Sequence, residues 1–529
     1  LADKQNTSHQ DENVQPSEPS VSSATTTPTE DVAATILNDT ENESNKTTHK
    51  KKRRQPPVKR FRRLTYWFSV VVALAVGMIA GVLIVMHQMQ PTLRINSELN
   101  EVIGVYQTVK NNYYQKVSQK KLVNGAVKGM LDSLGDPFSQ YLDVDQSSSL
   151  NDSTSGSFEG IGAEVQKAEH AIKIISPIKG SPAAKAGLKA NDLIMKINGK
   201  STAELSVDQA VSKIRGAKGT QVTLEIKRDT STFTIKVKRA KVDQATVTGR
   251  ILPSDKTVGQ IQISTFAENT ASGMKKMIKE LRQKGATRFI IDVRGNPGGL
   301  MNSALATSSM FLKNGQVIMR VKARTGKEEV YKAGKTYDDG FKVTEPVVVL
   351  ADSGSASASE IFSAALQQSA GVKLVGTKTY GKGTVQTVVP LNNSSEMKFT
   401  TAKWLTPNDT WINKKGITPD VKADYPALAK LSLLSSGNTL QAGNVGRQVK
   451  LLQTNLKDLG YAVKVTSIYD DQTVAAVKQL QAKAKLSQQD GIFDDQVRTA
   501  LYAEVTSYLQ AHDNILNAGL KALTQSVTE

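Results

Sequence analysis

The feature that most constrains this chain is an uninterrupted apolar run, Leu64 to Met86 (LTYWFSVVVALAVGMIAGVLIVM), 23 residues without a charge. As a helix rising about 1.5 Å per residue, it is long enough to cross a hydrocarbon core about 30 Å thick. Tyr66 and Trp67 sit at one end, where interfacial aromatics are expected. A cleaved signal peptide would have a shorter apolar stretch and a small-x-small cleavage site. Met86-His87-Gln88-Met89 offers none. The run therefore predicts an uncleaved transmembrane helix over 64–86.

The flanks orient it. Residues 50–63 (KKKRRQPPVKRFRR) hold nine Lys or Arg and no acid, about half of the net charge of +19. Beside an apolar span, such a block acts as a topology signal rather than a nucleic-acid patch. It places residues 1–63 in the cytoplasm as a disordered tail, since 1–50 are Ser-, Thr-, Asn- and acid-rich with few large apolar groups. Everything beyond about residue 87 is then outside the cell membrane, in an extracytoplasmic, single-pass arrangement.

The 529 residues leave room for several domains. Apolar positions recur at helical spacing over 97–145, predicting a packed helical pair that ends at Gly135-Asp136-Pro137. Residues 150–240 read as short strands (IGAEVQ, AIKIISP, DLIMKING, TQVTLEIKRD, STFTIKVKR) interrupted by a helix at VDQAVSKIR. Over 241–425, helical stretches alternate with near-continuous apolar runs (VGQIQIS, RFIIDVRG, PVVVLAD, VKLVGT), which mark strands covered on both faces of an α/β domain. Residues 446–505 form a small helical module, and 506–529 a tail helix of no assigned role.

The chain has no cysteine, which excludes disulfides and thiolate chemistry. Its five histidines (His9, His49, His87, His170, His512) are scattered without paired spacing, against a zinc hydrolase. None lies in 241–425, so no Ser-His-Asp or Cys-His site can be built within that domain.

Three motifs remain there. A strand runs into Gly354-Ser-Ala-Ser-Ala-Ser-Glu360 and then a helix, a turn that can expose a hydroxyl. A Ser-rich helix cap is the competing reading, and Ser353, Ser355, Ser357 and Ser359 all lie close by. Lys382 sits in a glycine-rich loop; as a base for serine its pKa must fall by about 3 from the usual ~10.4. Gly381 and Gly383 would let it fold inward. A solvated lysine in a turn competes with this. The same loop matches the start of a phosphate-binding loop, but Gly383 stands where Ser or Thr should bind magnesium, and a strand follows instead of a helix. Finally, Arg294-Gly-Asn-Pro-Gly-Gly299 follows a strand, and its two glycines can turn N–H groups toward a shared point.

In order, IIDVRGNPGG (290–299), GSASASE (354–360) and GKGTVQ (381–386) resemble the carboxy-terminal processing (tail-specific) serine protease family; Asp136-Pro-Phe-Ser-Gln-Tyr-Leu142 is similar to a further family motif. The resemblance covers about 97–425. It implies a multidomain α/β protein: a crotonase-like protease core with an inserted PDZ domain, an N-terminal helical region and transmembrane helix, and a C-terminal helical module. It further implies Ser357 as nucleophile, Lys382 as general base and Gln386 as the residue orienting the lysine. The N–H of Ala358, with that of Gly298 or Gly299, corresponds to the oxyanion hole. No cofactor or metal is implied.

Gly160-Ile161-Gly162-Ala163 resembles the PDZ carboxylate-binding loop, where free N–H groups capture a chain terminus while the peptide adds to a sheet edge. Val165 in the third glycine's place excludes a dinucleotide fingerprint. Residues 446–505 resemble a peptidoglycan-binding module through Val449–Gln453, Leu456, Leu459-Gly-Tyr461, Thr473–Lys478, Gln481 and Asp490-Gly491. The expected partners are proteins with apolar C-terminal tails, peptidoglycan, the membrane and, from the relatives, a second copy in a homodimer. A wall-tethered, PDZ-bearing binding protein without activity is the alternative from another class.

Overall fold

The structure is a computed structural model that describes residues 97–391, 394–435 and 437–525. The expected cytoplasmic tail and membrane span therefore lie outside the described residues. No helix among the described residues is long and apolar enough to cross a membrane.

The 97–145 region contains the helices Ser97–Asn112 and Gln119–Asp132, but not the packed pair expected from their spacing. The first leaves Leu99, Val102 and Ile103 exposed, and the second buries only Leu131. The chain then makes a short strand, Gln140–Leu142, that joins the α/β domain by pairing with Glu396–Leu405.

The predicted strands of 150–240 form one antiparallel sheet in the order Ala163–Ala168, Ala171–Pro177, Leu193–Ile197, Gln221–Arg228, Ser231–Lys238. Val222, Leu224 and Ile226 alternate inward with Ile172 and Ile174 to form its core, the period-2 pattern of a half-buried sheet. The helix Val207–Ile214 starts at a capping box in which Ser206 and Gln209 exchange hydrogen bonds. The domain enters and leaves through paired strands, Ser157–Gly160 and Ala240–Asp243. The Asn269 amide pins this stem to the core by donating to the carbonyls of Gly156 and Gln244.

The central sheet of the α/β domain has six strands in the order Val247–Ile251, Val258–Ile263, Arg288–Asp292, Val347–Ala351, Lys373–Gly376, Val421–Lys422; the last five run parallel. Its apolar runs face both ways. Ile291, Val349 and Ala351 pack with the helices Thr270–Gln283, Met301–Ser309 and Ala358–Ala370, while Ile290, Val348 and Leu350 point to the other face. A second sheet, with Thr384–Pro390, Glu396–Leu405 and Val317–Ala323 among its strands, carries the lysine loop.

The second face of the central sheet corrects the reading of 506–529 as a tail. The helix Asp495–Ala511 runs through the expected boundary at 505, and a further helix, Asn514–Gln525, lies across the sheet. Its Ile515, Ala522 and Leu523 are buried with Ile290, Val348, Leu350 and Val375. Strands apolar on both sides need a cover on both sides, and this helix supplies one of them. Before it, helices Arg447–Asp458, Asp471–Lys483 and Asp495–Ala511 enclose Leu452, Leu456, Val477, Leu480 and Leu501. Gln453 and Gln481 are buried there and donate to the carbonyls of Ile468 and Ile492, so they brace loops.

Candidate active site

Strand Val347–Ala351 ends in a turn whose serines have separate fates. Ser355 Oγ donates to the Val293 carbonyl (2.8 Å) and Ser359 Oγ to the Asn296 carbonyl (2.9 Å); both are fully buried. Ser353 is exposed on the turn. Ser357 is half-buried, immediately before the helix Ala358–Ala370, with φ 54° and ψ −114°. A non-glycine residue there is strained, and such strain persists only where the surroundings hold it.

What holds it is Glu360, which the sequence reading passed over. This fully buried side chain accepts from the Ser357 N–H (2.9 Å) and the Lys382 N–H (2.8 Å) on one oxygen. Its other oxygen accepts from Thr379 Oγ1 (2.6 Å) and the Gly381 N–H (2.7 Å). One carboxyl group thus ties the serine turn to the lysine loop. An acid closing a serine-rich motif at the start of an apolar helix was the available signal.

The lysine loop is packed as its glycines imply. A Cβ on Gly381 would lie 2.8 Å from the Gly416 nitrogen, and one on Gly383 would lie 2.7 Å from the Asn413 nitrogen. The indoles of Trp404 and Trp411 donate to the carbonyls of Lys382 and Gly383, both at 2.8 Å. Lys382 is half-buried, and its ammonium lies 4.7 Å from the centroid of the Phe138 ring rather than in a hydrogen bond with Ser357. Burial, with the nearby charge of Lys398, lowers its pKa from 10.5 to about 8 against the opposing pull of Asp136 and Glu360.

The segment Asp136–Leu142 thereby enters the site. Asp136 accepts from Ser139 Oγ and Thr400 Oγ1, both at 2.6 Å, and from the Phe138 N–H at 3.1 Å. Burial pushes its pKa up, but these hydrogen bonds and the Lys382 charge outweigh it and hold it below the usual value. Thr400 Oγ1 in turn accepts from Gln386 Nε2 (3.2 Å), which also donates to Thr384 Oγ1 (2.9 Å). Gln386 is therefore fixed as the third residue of the strand Thr384–Pro390 that follows the lysine loop, with its amide nitrogen turned to Thr384 and Thr400 rather than to Lys382.

The glycine pair lies against the serine turn. Gly298 has φ 108°, and a Cβ there would lie 2.7 Å from the Ala356 carbonyl oxygen, 2.8 Å from Ser357 Cβ and 3.0 Å from the Ala358 nitrogen. Ala358 opens the helix, so its N–H has no carbonyl one turn back to bind. The Gly298 N–H is already engaged by Asn296 Oδ1 at 2.9 Å, whereas Gly299 bridges to Phe266 through its neighbours' backbone groups.

In the domain spanning 150–240, Gly160 ends the entry strand and Ile161 is buried in the domain core. The Ile161 carbonyl accepts from the Ala183 N–H, and the Gly162 carbonyl accepts from the Ile178 N–H and Ser181 Oγ. Ala163 opens the strand at the edge of the sheet. Among the described residues, no group of three or more His, Asp or Glu side chains is placed to hold a metal ion.

Comparison with known proteins matches the same regions. Peptidase family S41 matches residues 257–423, a PDZ domain 173–228, a putative peptidoglycan binding domain 445–501, and the activating protease CtpB N-terminal domain 81–146. The carboxy-terminal processing protease CtpA of Bacillus subtilis is 44% identical over 433 residues, spanning 82% of this chain and 91% of that protein. A probable CtpA-like serine protease of Staphylococcus epidermidis is 34% identical over 473 residues, spanning 87% and 94%. Among solved structures, a photosystem II D1 C-terminal processing protease is 28% identical with a TM-score of 0.36, covering 62% of this chain and 94% of that one. The chain belongs to peptidase family S41 and is a serine protease of the carboxy-terminal processing type.

Proposed function

We propose that the chain is a membrane-anchored, extracytoplasmic endopeptidase that cuts proteins near their C-termini through a Ser357–Lys382 dyad. The observation that carries this is the shared brace: Glu360 accepts from the backbone N–H groups of both residues. The fall of the Lys382 pKa to about 8 supports its role as base, because an appreciable neutral fraction then exists near neutral pH.

Catalysis begins when the Lys382 amine leaves the Phe138 ring for Ser357. Ser357 Oγ attacks the scissile carbonyl as its proton passes to Lys382 Nζ. The Ala358 N–H and a glycine N–H of the 298–299 pair receive the developing oxyanion. Lys382 returns the proton to the leaving amine, then takes one from the water that hydrolyses the acyl ester. Gln386 bears on the lysine through the Thr400–Asp136 network that adjoins Phe138.

In the same reading, the open edge Ala163–Ala168 and the loop Gly160–Ala163 receive the substrate's C-terminus. The charge-free run 64–86 anchors the chain with 1–63 cytoplasmic, and the module beyond 446 binds peptidoglycan outside. A homodimer fits the exposed Leu99, Val102 and Ile103.

The test is degradation of a substrate with an apolar C-terminal tail. Ser357→Ala and Lys382→Ala should each abolish cleavage while retaining tail binding. Wild-type rates in either variant would sink the dyad.

A further inference from the structure

We infer that Asp513, on the far side of the peptidoglycan-binding module in sequence, is a positioning residue for the turn that supplies the glycine donor of the oxyanion hole. The inference rests on the Ser357 reading above and extends it.

The turn 294–299 begins with Arg294, whose guanidinium is held on two sides. Asp292, the last residue of the preceding strand, accepts from its Nε (2.9 Å) and Nη2 (2.7 Å). Asp513 accepts from Nη1 (2.8 Å) and Nη2 (2.9 Å). Bidentate pairing fixes the plane of the guanidinium as well as its position. The pair is well shielded, with Arg294 12% and Asp513 20% exposed. The next residue is held as well: the Gly295 N–H donates to Asp352 Oδ1 (2.8 Å), and Tyr425 OH donates to the other oxygen of Asp352 (2.7 Å). Asp292, Asp352 and Tyr425 come from the contiguous core, but Asp513 does not.

Asp513 is itself placed by the final helix. Its Oδ1 accepts from the Leu516 N–H (2.9 Å) at the start of Asn514–Gln525. That helix sits close to the strand leading into the Ser357 turn; a Cβ on Gly519 would lie 2.6 Å from Leu350 Cδ2. Both halves of the site, the serine strand and the glycine turn, therefore rest on one helix. The chain leaves the core near Tyr425, builds the module and returns to finish the catalytic domain, so the module is an insertion in the protease rather than an appendage to it.

Asp513→Asn keeps the shape but puts an amide nitrogen where a guanidinium N–H needs an acceptor. A turn freed to shift by a fraction of an ångström misaligns the donors, and kcat should fall roughly ten-fold or more. The KM for a tailed peptide should stay within about two-fold, since no substrate-binding group is touched. Asp513→Glu, which restores two acceptor oxygens, should recover at least half of the lost rate.

The assay measures kcat, KM and the unfolding midpoint of the full chain for Asp513→Asn, Asp513→Glu and Ser357→Ala. An inactive Ser357→Ala with a folded Asp513→Asn of unchanged kcat overturns the inference and leaves the serine reading intact. So does a loss in which kcat and KM worsen together and Asp513→Glu does not help. An active Ser357→Ala would instead overturn the serine reading itself. Should Asp513→Asn fail to fold, Arg294→Lys, which keeps the charge but loses the fork, must show the same drop in kcat at constant KM.

Discussion

Replacing Lys382 with Met should inactivate the enzyme and make it more stable at neutral pH, and the size of that gain follows from the environment of the lysine. Burial and the neighbouring Lys398 lower the Lys382 pKa from 10.5 to about 8. The unfolded chain therefore binds this proton more tightly than the folded one, so protonation favours unfolding. Below about pH 8 the lysine is charged in both states, and the folded state carries the full penalty, about 3 kcal/mol. Above 10.5 it is neutral in both and the penalty is gone. The ammonium's contact with the Phe138 ring opposes part of the gain, by roughly 0.5–2 kcal/mol. Methionine fills similar volume and packs well on an aromatic ring. A net stabilisation of about 1–3 kcal/mol at pH 7 is expected, or several degrees in the midpoint of a core of this size. Thermal unfolding in a Ser357→Ala background removes self-digestion from the measurement. The advantage of Lys382→Met should shrink by about 2 kcal/mol between pH 7 and pH 10. An advantage absent at pH 7, or constant from pH 7 to pH 10, would refute the claim that this amine is held against its preference for charge.

Three further outcomes follow from the same contacts. The rate constant kcat/KM should rise with pH through about 8, and Lys398→Ala, by removing the second cause of the depression, should move that limb upward. Pre-steady-state rates in a pH series read this directly; an unmoved limb would remove Lys398 from the account. Glu360→Gln places an amide nitrogen against N–H and O–H donors, so cleavage should drop about a hundred-fold with the overall fold retained by circular dichroism. Gly298→Ala forces a Cβ to 2.7 Å from the Ala356 carbonyl oxygen and 3.0 Å from the Ala358 nitrogen at φ 108°; by displacing the serine turn and the Ala358 N–H it should cost activity about a hundred-fold or more in single-turnover assays.

What the sequence discloses about this site divides by range. The strands of the core announce themselves because Ile290, Ile291, Val348 and Val349 are apolar in succession, and the serine turn because small residues follow a strand. The glycines beside Lys382 signal close packing, and backbone nitrogens do stand where their side chains would be. The pairings that hold the site together have no such local signature. Thr400 donates to Asp136 across 264 positions and Arg294 to Asp513 across 219. Nothing in the period or composition around either partner marks the other. The last helix was legible as a helix but not as cover for the sheet, because an apolar stripe does not say which surface it meets. The pairing of the helices near residue 97 failed for the same reason: spacing predicts an apolar face and leaves its partner open.

The two long-range clamps have a common consequence for how such an enzyme can be controlled. Asp136 precedes the PDZ insertion and reaches the lysine side through Phe138 and Thr400, whereas Asp513 follows the peptidoglycan-binding insertion and reaches the glycine turn through Arg294. Each inserted domain is thus flanked by a segment that grips one half of the chemistry. A force or ligand on either domain acts on the chain at points a few contacts from Lys382 or Gly298, without any signal crossing the apolar core. Such coupling needs two discrete arrangements of the clamp. The lysine side offers a pair under the proposed mechanism: the ammonium rests on Phe138 here, and the proposed dyad needs it beside Ser357. Binding at the PDZ domain can favour the second only if the tail peptide makes better contacts when the Asp136 segment has shifted. Peptides that bind the PDZ domain equally tightly in wild type and in Phe138→Ala would leave that segment without a part in activation.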